Sequence, residues 1–115
     1  MKPALLVAAL LLLAGCAAPE ESGVKTIVGA KLQPGGGQPG IEYSVVVIAG
    51  GKFRAVGPQA MVPVPKGSAI TAGLGRIVEA PQGATIAAGQ PANLILRDAR
   101  SLAIEARMRD GEWTP

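Results

Sequence analysis

Glycine and proline interrupt this chain so often that no long regular element fits between them. Sixteen glycines and ten prolines fall among 115 residues. Glycine admits backbone angles that other residues avoid, and proline removes a hydrogen-bond donor. Punctuation of this density excludes long helices and leaves short strands joined by turns. The strongest hairpin signal is residues 42–49, then Gly50-Gly51, then residues 52–56, because a Gly-Gly pair takes the positive φ angles of a tight hairpin turn. Val45, Val46, Val47 and Ile48 are consecutive β-branched residues, which predicts a strand covered on both faces.

The same reading extends along the chain. Residues 24–32 read as one strand with Val28, Ala30 and Leu32 on one face, and residues 33–40, Gln-Pro-Gly-Gly-Gly-Gln-Pro-Gly, read as a loop. Val62-Pro63-Val64-Pro65 favours an extended edge or connection. Short strands are predicted at 68–72 and 76–79, broken by Gly73-Leu74-Gly75, and at 93–97 with Leu94 and Leu96 facing one way. Residues 102–109 contain good helix formers. Even so, Leu102, Ile104, Ala106 and Met108 alternate strictly with Ala103, Glu105, Arg107 and Arg109, and a period of two predicts a strand. Asp110-Gly111 turns the chain into a last strand at 112–114. The expected fold class is all-β: a small β-sandwich or pseudo-barrel of about seven to eight short strands.

The start of the chain differs in kind. Lys2 precedes eleven residues, 4–14, drawn only from Ala, Leu and Val. The run is too short to cross a bilayer, which takes about 20 residues, and it has no polar face for a surface helix. A basic start, an apolar centre and small residues at a cleavage point form a secretory signal. Leu13-Ala14-Gly15-Cys16 closes it with the only cysteine. This ending resembles the lipobox of bacterial lipoproteins, in which the signal is cut between the positions of Gly15 and Cys16 and the cysteine sulfur takes a diacylglycerol. A single cysteine makes no internal disulfide, and acylation removes an exposed thiol. Two acyl chains hold a protein at a membrane far better than one. The resemblance implies domains of 1–15 (signal helix), 16–23 (lipidated flexible tether) and 24–115 (β-domain). Ala17 stands where an aspartate favours inner-membrane retention. The implied location is therefore the bacterial cell envelope, lipid-anchored in the outer membrane and facing the periplasm.

The order of motifs in the β-domain resembles a second known unit, the composite β-sandwich domain of amidohydrolase-superfamily enzymes, which is built from both ends of the chain around a catalytic metal-binding barrel. Its opening strand, glycine loop, valine hairpin, Gly-Lys/Arg turn and Ala-Val-Gly stop correspond to 27–32, 35–41, 45–48, Gly51-Lys52-Phe53 and Ala55-Val56-Gly57-Pro58. Its proline stretch, strand and Gly-Arg-x-Val correspond to 62–67, 69–72 and Gly75-Arg76-Ile77-Val78 before Pro81. The family's barrel would begin after that proline; here Gln82 and Gly83 stand in its place. A return segment follows at 83–96, with Ile86, Gly89, Ala92, Leu94, Ile95 and Leu96 in register and Asn93 in place of the usual aspartate. The closing strands match loosely.

The family's chemistry rests on imidazole-held divalent metal, and this chain has no histidine. Its carboxylates are scattered without calcium-loop spacing, and Asp98 and Asp110 read as turn formers. No metal or other cofactor is expected. Ser22, Ser44, Ser68 and Ser101 have no histidine base and no Gly-x-Ser-x-Gly elbow, and Lys66 beside Ser68 reads as a solvated loop lysine. The glycine runs 35–37 and 73–75 open no predicted helix that could cradle phosphate. Eleven Lys and Arg against eight Asp and Glu, with only Tyr43, Phe53 and Trp113 as aromatics, lack the basic stripe and stacking rings of nucleic-acid binders. Among Arg97, Arg100, Arg107 and Arg109, the pair Arg107 and Arg109 shares one strand face, serving either as a solvated guard of an edge or as a contact for lipid or protein. Trp113 is either a core lid or a partner anchor. These three residues form the candidate partner surface, and Cys16 is the lipidation site.

The expectation is a non-catalytic, lipid-anchored envelope protein that presents a small β-domain for protein binding or structural assembly. The alternatives are an accessory subunit of a separate barrel-containing amidohydrolase, or a remnant of such an enzyme.

Overall fold

Val45, Val46, Val47 and Ile48 form the middle of the most buried strand, β3 (Ser44–Ala49), where each is shielded almost completely. The computed structural model describes residues 23–114, an all-β chain with no helix among them. The expected signal at 1–15, the lipidation site at Cys16 and all of the tether except Gly23 lie outside the described residues.

Two sheets form. The first runs in the order β4 (Lys52–Pro58), β3, β1 (Lys25–Val28), β5 (Ala69–Ala72). The second runs in the order β2 (Lys31–Gln33), β6 (Arg76–Glu79), β7 (Leu94–Asp98), β8 (Ile104–Arg109), β9 (Glu112–Thr114). These nine strands exceed the seven to eight expected. Both sheets are mixed: β1 pairs β5 in parallel and β2 pairs β6 in parallel, while the remaining ladders are antiparallel.

The sheets face one another across one core. Ile27, Val46, Ile48 and Phe53 come from the first; Leu32, Val78, Leu94, Leu96 and Met108 come from the second. Strand alternation sends the other residues of β1 and β3 to the opposite face. There Val45 and Val47 form a smaller cluster with Val24, against which Val28, Ala55 and Val62 pack. The connection 59–68 is the cover. Val62 crowds Gly57, where an added Cβ would stand 2.9 Å from the Val62 side chain. The Thr26 hydroxyl donates to Ser68 Oγ at 3.0 Å. A continuous β-branched run with two buried faces is thus accounted for.

Residues 24–32 do not form one strand. Gly29, at φ 97°, breaks the run, so that β1 joins the first sheet and β2 the second. Val28 packs in the smaller cluster while Ala30 and Leu32 enter the main core, so the three do not share a face. The connection from β5 to β6 repeats this switch alongside it. The two crossings touch backbone to backbone, a Cβ on Gly73 falling 2.7 Å from Ala30 N.

Residues 102–109 also differ from expectation. Leu102 sits in a turn at φ 66°. The pairing shifts so that Leu96 faces Ala106 while Arg97 faces Ile104, which makes Glu105 the extra residue of a bulge. Ala106 and Met108 point to the core, but Leu102 and Ile104 are exposed. Both hairpin turns form as read: Gly50 and Gly51, and Asp110 and Gly111, all have positive φ.

Candidate functional site

Asn93, at the entrance to β7, is the residue around which the chain's two ends of the fold are tied. Its Oδ1 accepts from the Asp110 backbone N–H at 2.8 Å, clamping the β8–β9 turn. The neighbouring Ala92 is fully buried and joins both hairpin turns: its N–H donates to Gly51 O and its carbonyl accepts from Gly111 N. Phe53 N donates to Gln90 O and Gly89 N to Phe53 O, so residues 89–93 hold the two sheets together at this end.

Beside Asn93 opens a cleft of about 580 Å³. One wall is the turn at 81–84, closed by Ala84 N donating to Pro81 O, with Gln82 and Gly83 exposed. Leu94, Ile95 and Met108 supply apolar lining; Arg107, Arg109 and Thr114 complete it. Thr114 Oγ1 donates to the Arg107 carbonyl at 3.2 Å. Among the described residues no Asp or Glu lines the cleft.

The two arginines lie on one strand and line one cleft. Four other cations are matched, Lys25 with Glu112 at 3.7 Å, Lys31 with Glu42 at 3.7 Å, Arg97 with Glu79 at 3.0 Å, and Arg76 with Glu105, whereas Lys52, Lys66 and Arg100 have no ion-pair partner among the described residues. Arg107 and Arg109, both exposed, have no ion-pair partner among the described residues. Glu112 stands opposite Arg109 in the ladder but pairs with Lys25. Two unneutralised guanidiniums over an apolar floor form a surface suited to a carboxylate, which the planar fork of arginine grips in two places.

The structure separates Trp113 from this pair. It lies opposite Met108 in the ladder and packs, half-buried, against the main core. Of the three candidate partner residues, Arg107 and Arg109 therefore come together on one face and Trp113 sits on the other. Sequence reading did not name Asn93 or the turn at 81–84 as neighbours of the arginines. Their pairing arises from the register of β7 against β8, which no local pattern encodes.

Ser68, weighed as a nucleophile, and Asp98, read as a turn former, make structural hydrogen bonds, while Ser22 lies outside the described residues. Ser68 donates its proton to the Pro65 carbonyl at 2.9 Å and accepts from Thr26. Asp98 accepts from the N–H groups of Arg100 at 2.8 Å and Ser101 at 2.9 Å, forming the turn before β8. The Ser101 bond, followed by that of Arg100, holds its carboxyl below the ordinary aspartate range. Among the described residues no three His, Cys, Asp or Glu side chains gather as metal ligands. A second hollow, about 350 Å³, lies between Pro34, Pro39, Ile41, Val56 and Ile86, and among the described residues no charged side chain lines it.

No protein-family model matches the chain, and no curated protein and no solved structure matches it either.

Proposed function

We propose that this chain is a lipid-anchored, non-catalytic protein of the bacterial envelope whose β-domain binds another envelope protein. The observation that carries the binding reading is the cleft in which Arg107 and Arg109 lie exposed with no ion-pair partner among the described residues. Leu13-Ala14-Gly15-Cys16 supports the anchor. The partner surface is the cleft, and the arginines engage a carboxylate of the partner. Trp113 supports the sheet beneath it.

A second reading, an accessory subunit of a separate barrel-containing amidohydrolase, draws on one particular feature. The turn at 81–84, where the resembling enzymes insert their barrel, is exposed and forms a wall of the same cleft. A barrel supplied by another polypeptide would then meet this domain at the point where the enzymes' own barrel is joined to their sandwich.

Crosslinking followed by capture of the anchored protein from membranes tests both. The parent chain is expected to retain one specific partner, and Arg107→Glu with Arg109→Glu to lose it. A barrel-bearing hydrolase as that partner selects the second reading. Equal recovery by the parent and the doubly substituted chain sinks the cleft as the binding surface. Separately, Cys16→Ser is expected to move the protein from the membrane to the soluble fraction and to abolish the acyl mass. Unchanged fractionation removes the anchor.

A further inference from the structure

The charges of this domain are unevenly placed about the point where residues 1–22 join it. Gly23, exposed, and Val24, buried, lead into β1, and Val24 O accepts from Ala69 N at the start of β5. Lys25 stands opposite Ile48 and Ala69 in the two ladders of β1. Lys66 lies two residues before Ser68, whose Oγ accepts from the Thr26 hydroxyl. Lys52 follows the Gly50-Gly51 turn, opposite Ala49. That turn meets the β8–β9 turn, a Cβ on Gly51 falling 3.2 Å from Asp110 O, and this contact brings in Arg109. The three lysines and Arg109 therefore share one end of the fold.

Arg54 and Arg107 stand two residues from Lys52 and Arg109 on the same strands, so six cations gather at or beside this end. Among the described residues, Asp110 and Glu112 are the acids that oppose them there, and Glu112 pairs with Lys25. Lys52 and Lys66 are exposed and have no ion-pair partner among the described residues. Elsewhere the charges cancel. Lys31, Arg97 and Arg76 pair with Glu42, Glu79 and Glu105, and Arg100 donates its backbone N–H to the Asp98 carboxylate. The net positive charge of the described residues is thus concentrated where the tether begins.

We infer that this end of the domain rests on the anionic headgroups of a bilayer, with Lys52 and Lys66 meeting the lipid phosphates. This docking rests on the proposed anchor, which also fixes which end faces the membrane. Seven residues lead from Cys16 to Gly23, a span of at most about 25 Å when fully extended. The lysines around Gly23 are therefore the charges best placed to reach the surface. Charge attraction in salt fades over about 8–10 Å, so the balanced far end contributes little. A lysine ammonium is a compact charge on a flexible stem, suited to a fluid array of phosphates. The arginines of the cleft, with their rigid fork, suit a fixed carboxylate instead. Glu20 and Glu21 of the tether offset two of the positive charges, so the attraction is modest and yields to salt.

Trace acetylation of the full-length protein in vesicles, read lysine by lysine by mass spectrometry, tests the docking. In an equal mixture of phosphatidylcholine and phosphatidylglycerol, Lys52 and Lys66 are expected to react at least about threefold more slowly than in phosphatidylcholine alone. A negative surface concentrates protons and keeps nearby amines charged. Lys31, which lies beyond the far end of β1 and pairs with Glu42, is expected to keep its rate. High salt is expected to remove the difference. Lys66→Glu is expected to restore much of the lost rate at Lys52, and Lys52→Glu to do the same at Lys66. The same spectra report acyl mass on Cys16, so failure of the anchor and failure of the docking are separate results. A chain without that mass is mixed with the same vesicles, where slowing at Lys52 and Lys66 still supports the docking and unchanged rates overturn it. Equal rates of the anchored chain in the two kinds of vesicle, or slowing of Lys31 by the same factor, would overturn it as well. So would slowing confined to native membranes, which assigns this end to an acidic protein.

Discussion

Gly73 has no room for a side chain. A Cβ there would stand 2.7 Å from Ala30 N, 2.8 Å from Ala30 Cβ and 3.0 Å from Val28 O. Two of these three atoms belong to the backbone of the parallel crossing, which yields less readily than a side-chain end. Gly73→Ala is expected to destabilise the fold by about 1–3 kcal/mol, the usual range for overpacking. A lower urea midpoint at unchanged slope is the measurement. Asp98 acts through charge instead. Its folded pKa is lowered, by the Ser101 N–H first and the Arg100 N–H second. Its contribution to stability is therefore complete above the pKa of the unfolded chain and is lost as pH falls through the folded pKa. Asp98→Asn is expected to be less stable than the parent at neutral pH, with the gap closing in acid titrations monitored by thermal unfolding. The role of Asp98 as a turn former was legible from its residue type. That of Asn93 was not, because its partner, the Asp110 N–H, is 17 residues away.

Elements built on strong local patterns were legible. β3 and its turn into β4 follow from the valine run and Gly50-Gly51, and β6 falls on the predicted residues. Phe53, 1% exposed at the start of β4, fills the space between the sheets. Phe53→Ala is expected to cost about 3–5 kcal/mol, a large share of the stability of a small domain, and to lower the midpoint of thermal unfolding accordingly. β8 shows the limit of pattern. Strict alternation over residues 102–109 identified a strand and the shared face of Arg107 and Arg109. The bulge at Glu105 then turned Ile104 outward, beside Arg97, and placed Glu105 in reach of Arg76. A period-two pattern states which residues could share a face; the ladder with β7 decides where one residue is skipped.

At the scale of the molecule, two sheets are assembled by a chain that changes sheet twice in the same way, β1 to β2 and β5 to β6, with each pair of strands running parallel. This arrangement lays the turn at 81–84 against β7 and β8, and so forms the cleft that holds Arg107 and Arg109. If the cleft binds a carboxylate, a peptide ending in Leu-Glu is expected to shift the Arg107 and Arg109 side-chain Nε–H resonances saturably in NMR titration. Arg107→Gln with Arg109→Gln should remove the response. The all-β class, the turn positions and the doubly buried strand follow from local chemistry, because glycine, proline and β-branched residues act on their immediate backbone. The division of residues 24–32 between two sheets, the skipped residue in β8, the partners of Asn93 and the meeting of the arginines with the 81–84 turn were decided only in three dimensions. Each depends on which distant strand supplies the hydrogen bonds and apolar contacts, and that competition is settled by burying one common core.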